Sequence, residues 1–117
     1  MQQGKHKPKR GEIWWVNFDP SIGGEIRKKR PAVVVSNDLA NAALNRVQVI
    51  PLTSTIHKLY PAECLVRTPD AASKAMADQL TTVSTLRLVT KMGQISAQDM
   101  EAIEQIIRFQ LGLRTYR

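Results

Sequence analysis

In the segment Glu25-Ile26-Arg27-Lys28-Lys29-Arg30-Pro31, one carboxylate stands among four cations just ahead of a short apolar run, Ala32-Val33-Val34-Val35. Those residue types suit phosphodiester chemistry. A strand of RNA carries its own nucleophile, the 2′-hydroxyl. A protein that cuts it must take that proton, neutralise the charge that grows around phosphorus, and let the 5′ oxygen leave. Glu25 is placed to take the proton. Arg30, stiffened by Pro31 behind it, offers a planar fork for two phosphate oxygens, and it serves as a charge stabiliser rather than a proton donor. Thr53 and Ser54 end a later apolar run and supply hydroxyls to the same phosphate. Composition alone leaves each of these open to an ordinary alternative. Residues 25–30 also read as a solvated charged hairpin, and Thr53-Ser54 as a strand-end turn whose hydroxyls bond local backbone.

Other chemistries lose support from what the chain lacks. His6 and His57 are far apart, and neither stands in a metal-ligand spacing with Cys64 or with paired acids. There is no glycine-rich phosphate loop and no GxSxG elbow. The expected site therefore uses neither a metal nor a cofactor. Asn37, Lys58 and Gln79 are further candidates for base edges or phosphates, each with an equally plain reading as surface. Trp14 and Trp15 face opposite ways on a regular strand, which puts one in the core and leaves the other to stack on a base or to meet a second subunit.

These groups need a frame to hold them. Alternation through Glu12–Asp19 predicts a strand, ended by Pro20-Ser21-Ile22-Gly23-Gly24, and the charged stretch that follows predicts an exposed loop of about ten residues, a length associated with function. Residues 31–35 predict a strand buried on both faces, residues 38–45 one helical turn, and residues 47–53 the next strand. Further strands are expected at 62–66, at 75–83 and at 88–92, which suggests a small barrel or sandwich. From Ser96 the period changes, and Met100, Ile103, Ile107 and Leu111 form a helical stripe. Ser96 with Asp99 resembles a capping box, and Gly112 is placed to close the helix.

A chain of 117 residues has room for one domain, and 43% hydrophobic residues give it a core. The net charge of +7 favours a polyanionic partner, although four of those charges (Lys5, Lys7, Lys9 and Arg10) sit in the first ten residues. The expected organisation is a flexible basic arm over residues 1–10 and a single folded domain over 11–117. One cysteine excludes an internal disulfide, and no apolar run approaches the roughly 18 residues needed to cross a bilayer. A cytoplasmic protein without membrane contact is expected.

Arg10-Gly11-Glu12-Ile13-Trp14-Trp15-Val16-Asn17-Phe18-Asp19-Pro20, then Gly24-Glu25 and Lys29-Arg30-Pro31-Ala32-Val33-Val34-Val35-Ser36, resemble the MazF/PemK toxins of bacterial toxin–antitoxin pairs. The likeness continues in order through Ile50-Pro51-Leu52-Thr53-Ser54, Tyr60-Pro61, Glu63, Ala77-Asp78-Gln79 and the terminal helix to Leu113. It implies an α+β, mainly β fold, namely a small SH3-like barrel with added short helices and a C-terminal amphipathic helix. It also implies a homodimer that cuts single-stranded mRNA at a specific sequence, leaving a 2′,3′-cyclic phosphate and a 5′-hydroxyl, and that is neutralised by a cognate antitoxin with an acidic, disordered segment. The family's catalytic positions fall on Glu25, Arg30 and Thr53, and its base-reading positions on Asn37 and Gln79. This chain departs from some relatives in having Lys29 where they place a histidine. Two other readings stay open at this point: a non-enzymatic toxin of the same barrel that binds a protein such as a topoisomerase, and an RNA-binding module that does not cut.

Overall fold

The alternation at the start of the chain feeds two cores rather than one core and solvent. In the computed structural model, which describes residues 7–20, 23–25 and 28–114, β1 (Glu12–Asn17) sends Ile13 to one buried cluster and Trp14 and Val16 to another. β2 (Lys29–Val34) does the same, with Val33 on the first side and Ala32 and Val34 on the second. This is why its β-branched run shows no polar alternation. α1 (Asp38–Ala43) is one short helix, capped by the Asn37 side chain, which accepts the Ala40 N–H at 2.8 Å. β3 (Arg46–Thr53), β4 (Glu63–Arg67), β5 (Ala72–Met76), β6 (Thr81–Ser84) and β7 (Leu88–Gln94) complete an antiparallel arrangement ordered β4-β5-β3-β2-β1-β7, with β6 also paired to β3. The fold is α+β and mainly β, as expected.

β3 is the strand on which the others converge. Along one edge it pairs with β2, while the opposite edge is divided between β6, at Arg46–Val49, and β5, at Leu52 and Thr53. Pro51, which has no N–H to give to a ladder, stands at the changeover. Residues 75–83, expected to be one strand, are instead the end of β5, a 3₁₀ turn at Ala77–Gln79 and then β6. The turn is held where the Ala77 N–H reaches the Ala62 carbonyl at 3.0 Å, and it lets the chain leave one half of β3 and rejoin it at the other.

The last element, α2 (Ala97–Leu111), packs on β4 and on the turn at 77–79. Ser96 caps it by accepting the Asp99 N–H at 3.0 Å, and Gly112 closes it in the left-handed region at φ +68°. The capping box is half made, because the Asp99 carboxylate accepts the Arg67 N–H at 2.9 Å rather than turning back to Ser96. Ile103 and Ile106 carry the buried face, and Leu111, expected in the stripe, stays 53% exposed in the final turn. Among the described residues, no helix is long and apolar enough to cross a membrane.

Of the expected basic arm, residues 1–6 lie outside the described residues, while Lys7 to Arg10 are held against the domain. The Arg10 N–H reaches Asp38 at 2.7 Å, and its guanidinium bonds the Val35 carbonyl and the Glu104 carboxylate of α2. Glu12 fixes the next turn of chain. Its carboxylate accepts the Lys9 N–H (2.9 Å) and the Trp14 indole N–H (3.0 Å) and pairs with Lys91 (3.0 Å). Burial pushes its pKa up, but those hydrogen bonds and the Lys91 charge together hold it below the usual carboxylate value. A carboxyl with a depressed native pKa stabilises the fold above its unfolded pKa, and that contribution is lost as pH falls through the native one. Glu12→Gln is accordingly expected to lower the urea midpoint at neutral pH and to flatten the acid limb of stability against pH. An unchanged acid limb would show that Glu12 does not drive it.

Candidate active site

The sheet brings two of the three expected catalytic residues together by register. The ladder between β2 and β3 runs Val34↔Val49, Val33↔Ile50, Ala32↔Pro51. Continued two residues toward the open end, it sets Arg30 opposite Thr53 on one face, close enough for side chains to meet. A cleft of about 430 Å³ opens there, lined by Trp15, Arg30, Thr53, Ser54, Asp70 and Met92 among others. The Thr53 hydroxyl oxygen accepts the Thr55 N–H at 3.2 Å, which uses an acceptor site and leaves its proton to be donated elsewhere. The strand-end turn and the chemical role are thus compatible in one side chain.

What places Arg30 is the base of the loop before it. The Phe18 N–H reaches the Lys28 carbonyl at 2.9 Å, and the Lys28 N–H reaches the Asp19 carboxylate at 2.8 Å. Arg87 donates to the Asn17 carbonyl at 2.8 Å and also to that of Asp19. Lys28 takes a left-handed backbone, φ +69°, so the chain reverses there and delivers Lys29 and Arg30 into β2.

Glu25 belongs to a second cleft, of about 360 Å³, with Phe18, Asp78, Gln79, Thr81 and Arg87 on its walls. Gln79 lies beside it, its amide nitrogen 3.5 Å from the Gly24 carbonyl. The structure therefore gathers Arg30, Thr53 and Ser54 in one cleft and Glu25 with Gln79 in another. Asn37 is in neither. It lines a third hollow of about 530 Å³ with Arg10, Gln48 and Glu104, and its side-chain oxygen is already engaged as the α1 cap. Lys58 stands on the exposed segment after β3, its ammonium 5.0 Å from the centre of the Tyr60 ring.

Two charged residues, one on the wall of the Arg30 cleft and one in the strand beside it, give no signal in the sequence. Asp70 brings a carboxylate to the cleft wall. Lys74, in the strand whose start at Ala72 was not anticipated, is buried and paired with Glu63 at 2.8 Å. Of the two tryptophans expected to face opposite ways, Trp14 is the core member and Trp15 is half-buried in the cleft. Partial burial, with the Asp99 charge adding to it, pushes the Cys64 thiol up to about 11, so it stays protonated at neutral pH. Among the described residues, no three of His, Cys, Asp and Glu stand close enough together to hold a metal ion.

One cleft of this small, mainly β domain holds an arginine and two hydroxyls, and another holds a carboxylate and an amide, groups whose chemistry suits a phosphate-bearing ligand. Residues 9–111 match the model of the PemK-like, MazF-like toxins of type II toxin–antitoxin systems. Endoribonuclease MazF9 of Mycobacterium tuberculosis is 39% identical over 114 residues, covering 90% of this chain and 97% of its own length. The endoribonuclease toxin MazF of Escherichia coli K12 is 31% identical, covering 92% and 97%. In structure, MazF of Deinococcus radiodurans aligns with a TM-score of 0.81 at 25% identity, over 91% of this chain and 97% of that one. The same organism's MazE–MazF complex aligns at 0.74 and 26%, over 93% and 100%. The chain belongs to the PemK/MazF toxin family.

Proposed function

We propose that this protein is a sequence-specific endoribonuclease toxin of a type II toxin–antitoxin system that cuts single-stranded mRNA in the cytoplasm without a metal or cofactor. The observation that carries the reading is the facing of Arg30 and Thr53 across β2 and β3 at the mouth of one cleft. In the reaction, the 2′-oxygen of the substrate attacks phosphorus as Glu25 takes its proton. The Arg30 fork and the Thr53 hydroxyl hold the non-bridging oxygens while their charge grows. The P–O5′ bond then breaks and the 5′ oxygen draws a proton from water. The products are a 2′,3′-cyclic phosphate and a 5′-hydroxyl. Ser54 and Lys58 bind the strand on the Thr53 side, Gln79 reads a base at the Glu25 cleft, and Asn37, whose oxygen is held as the α1 cap, reads one with its remaining amide N–H groups.

The working form is a homodimer, and a cognate antitoxin with an acidic, disordered segment restrains it by covering the basic clefts. The test is to incubate pure protein with a long single-stranded RNA in excess chelator and to map the new ends. Cuts at one short motif, bearing cyclic phosphates and 5′-hydroxyls, are expected. Intact RNA at protein excess would overturn the reading in favour of a toxin that binds a protein target.

A further inference from the structure

Lys74 is a buried cation held by an ion pair, a backbone carbonyl and an aromatic ring. It is 7% exposed, and its ammonium lies 2.8 Å from the Glu63 carboxylate, 2.6 Å from the Lys58 carbonyl and 5.4 Å from the centre of the Tyr60 ring. On β5 it pairs with Thr53 on one side and Leu65 on the other, so it stands in the same cross-strand row as Arg30 and Thr53. Ser73, next to it in the chain, lines the Arg30 cleft.

Placing two charges in a protein interior costs several kcal/mol per ion before their attraction is counted, and an apolar pair of similar volume often serves stability as well or better. The distinctive contact of this pair is the one with the Lys58 carbonyl. Residues 54–61 form no strand or helix and are exposed throughout. Two further bonds tie the far end of that stretch to the same pair: the Tyr60 N–H donates to the Glu63 carboxylate at 2.9 Å, and the Glu63 N–H donates to the Tyr60 carbonyl at 2.9 Å. Tyr60 has the Lys58 ammonium at 5.0 Å and the Lys74 ammonium at 5.4 Å from its ring centre, so the buried pair also sets where the exposed Lys58 charge is held.

We infer that Lys74, with Glu63, is a positioning residue that holds residues 54–60 at the rim of the Arg30–Thr53 cleft and so presents Lys58 and Ser54 to the RNA strand. The inference rests on the ribonuclease reading above. Lys74 touches neither phosphate nor base, and it acts on affinity rather than on the bond-breaking step.

The experiment is a cycle of variants read by steady-state cleavage of a short RNA and by urea denaturation. Lys74→Met with Glu63→Leu removes both charges together and is expected to keep the urea midpoint while raising KM about 10-fold with kcat nearly unchanged, the pattern of lost uniform binding. Lys58→Met is expected to raise KM on its own, and the three changes combined to do little more than Lys58→Met does, because the pair works through that side chain. A wild-type KM in the Lys74/Glu63 variant overturns the inference, as does a fall in kcat that matches the loss of kcat/KM. If that variant does not fold, Lys74→Gln is judged by the same two outcomes. If the wild-type protein cuts no RNA, the positioning role is read by amide hydrogen exchange. Protection at residues 58–63 is expected to fall selectively in the variant, and unchanged protection overturns the inference whatever the activity.

Discussion

Arg30→Ala is expected to lower the rate of RNA cleavage by about 10²- to 10³-fold, the loss typical of removing one preorganised donor from a developing oxyanion, while circular dichroism and the urea midpoint stay near wild type. The backbone of Arg30 is ordered by its place opposite Val16, and that pairing asks nothing of its side chain. The side chain lines the cleft at the open end of β2, away from the buried run that follows it. Arg30→Lys keeps the charge and loses the fork, so it is expected to recover only part of the rate. A wild-type rate in Arg30→Ala would remove charge stabilisation from this residue.

Glu25→Gln is expected to slow cleavage by about 10²- to 10⁴-fold, the range for a general base, and to tighten RNA binding, because it removes a negative charge from a surface that meets phosphates. Binding is measured by fluorescence anisotropy on an RNA whose 2′-hydroxyl at the cleavage site is blocked. The effect carries a geometric condition. Glu25 lines its own cleft with Gln79 and Arg87, whereas Arg30 and Thr53 share another with Asp70, so the Glu25 carboxylate has to reach the 2′-hydroxyl next to the phosphate held by Arg30 and Thr53, directly or through one water, for all three to act on one phosphate. Asp70→Asn is the comparison that tests this. If it abolishes cleavage while Glu25→Gln leaves the rate intact, the proton acceptor is the carboxylate already inside the Arg30 cleft, and Glu25 is a binding residue.

Strand runs were legible where side chains alternate or branch. Residues 12–17 and 31–35 announced β1 and most of β2, and Ser96 with Gly112 marked both ends of α2. The break within residues 75–83 was not legible, because Ala77-Asp78-Gln79 contains neither proline nor glycine. The chain turns there on a contact with the Ala62 carbonyl, which is distant in sequence. The same holds for the α2 face. Its spacing picked Leu111, but which residues are covered depends on where β4 and the 77–79 turn reach the helix, and Ile106 lies under that contact.

For the candidate site, Arg30 and Thr53 were readable as chemical types, and their facing each other depends on the β2–β3 register, which the two-sided apolar run of β2 does not announce because a slip by one residue would still bury apolar side chains on both faces. The residues that went unnoticed, Asp70 and Lys74, gave no local signal. Each looks like ordinary surface charge until β5 pairs with the end of β3. Asn37 shows the reverse case. Ahead of Asp38 it is a good helix cap by type, and the structure engages its side-chain oxygen in that task.

The cleft takes its walls from Trp15, Arg30, Thr53, Asp70 and Met92, and β3 itself is covered on its second edge only when residues 72–84 have arrived. A polypeptide emerging from the ribosome therefore carries the arginine and the threonine long before it owns the pocket they serve. The final wall of that pocket belongs to β7, which also closes the free side of β1. Met92 of β7 is the last of these walls in chain order, and the buried cluster behind the sheet is complete only with Ile103 and Ile106 of α2, so a product that ends before β7 lacks both a wall of the cleft and part of the core it rests on.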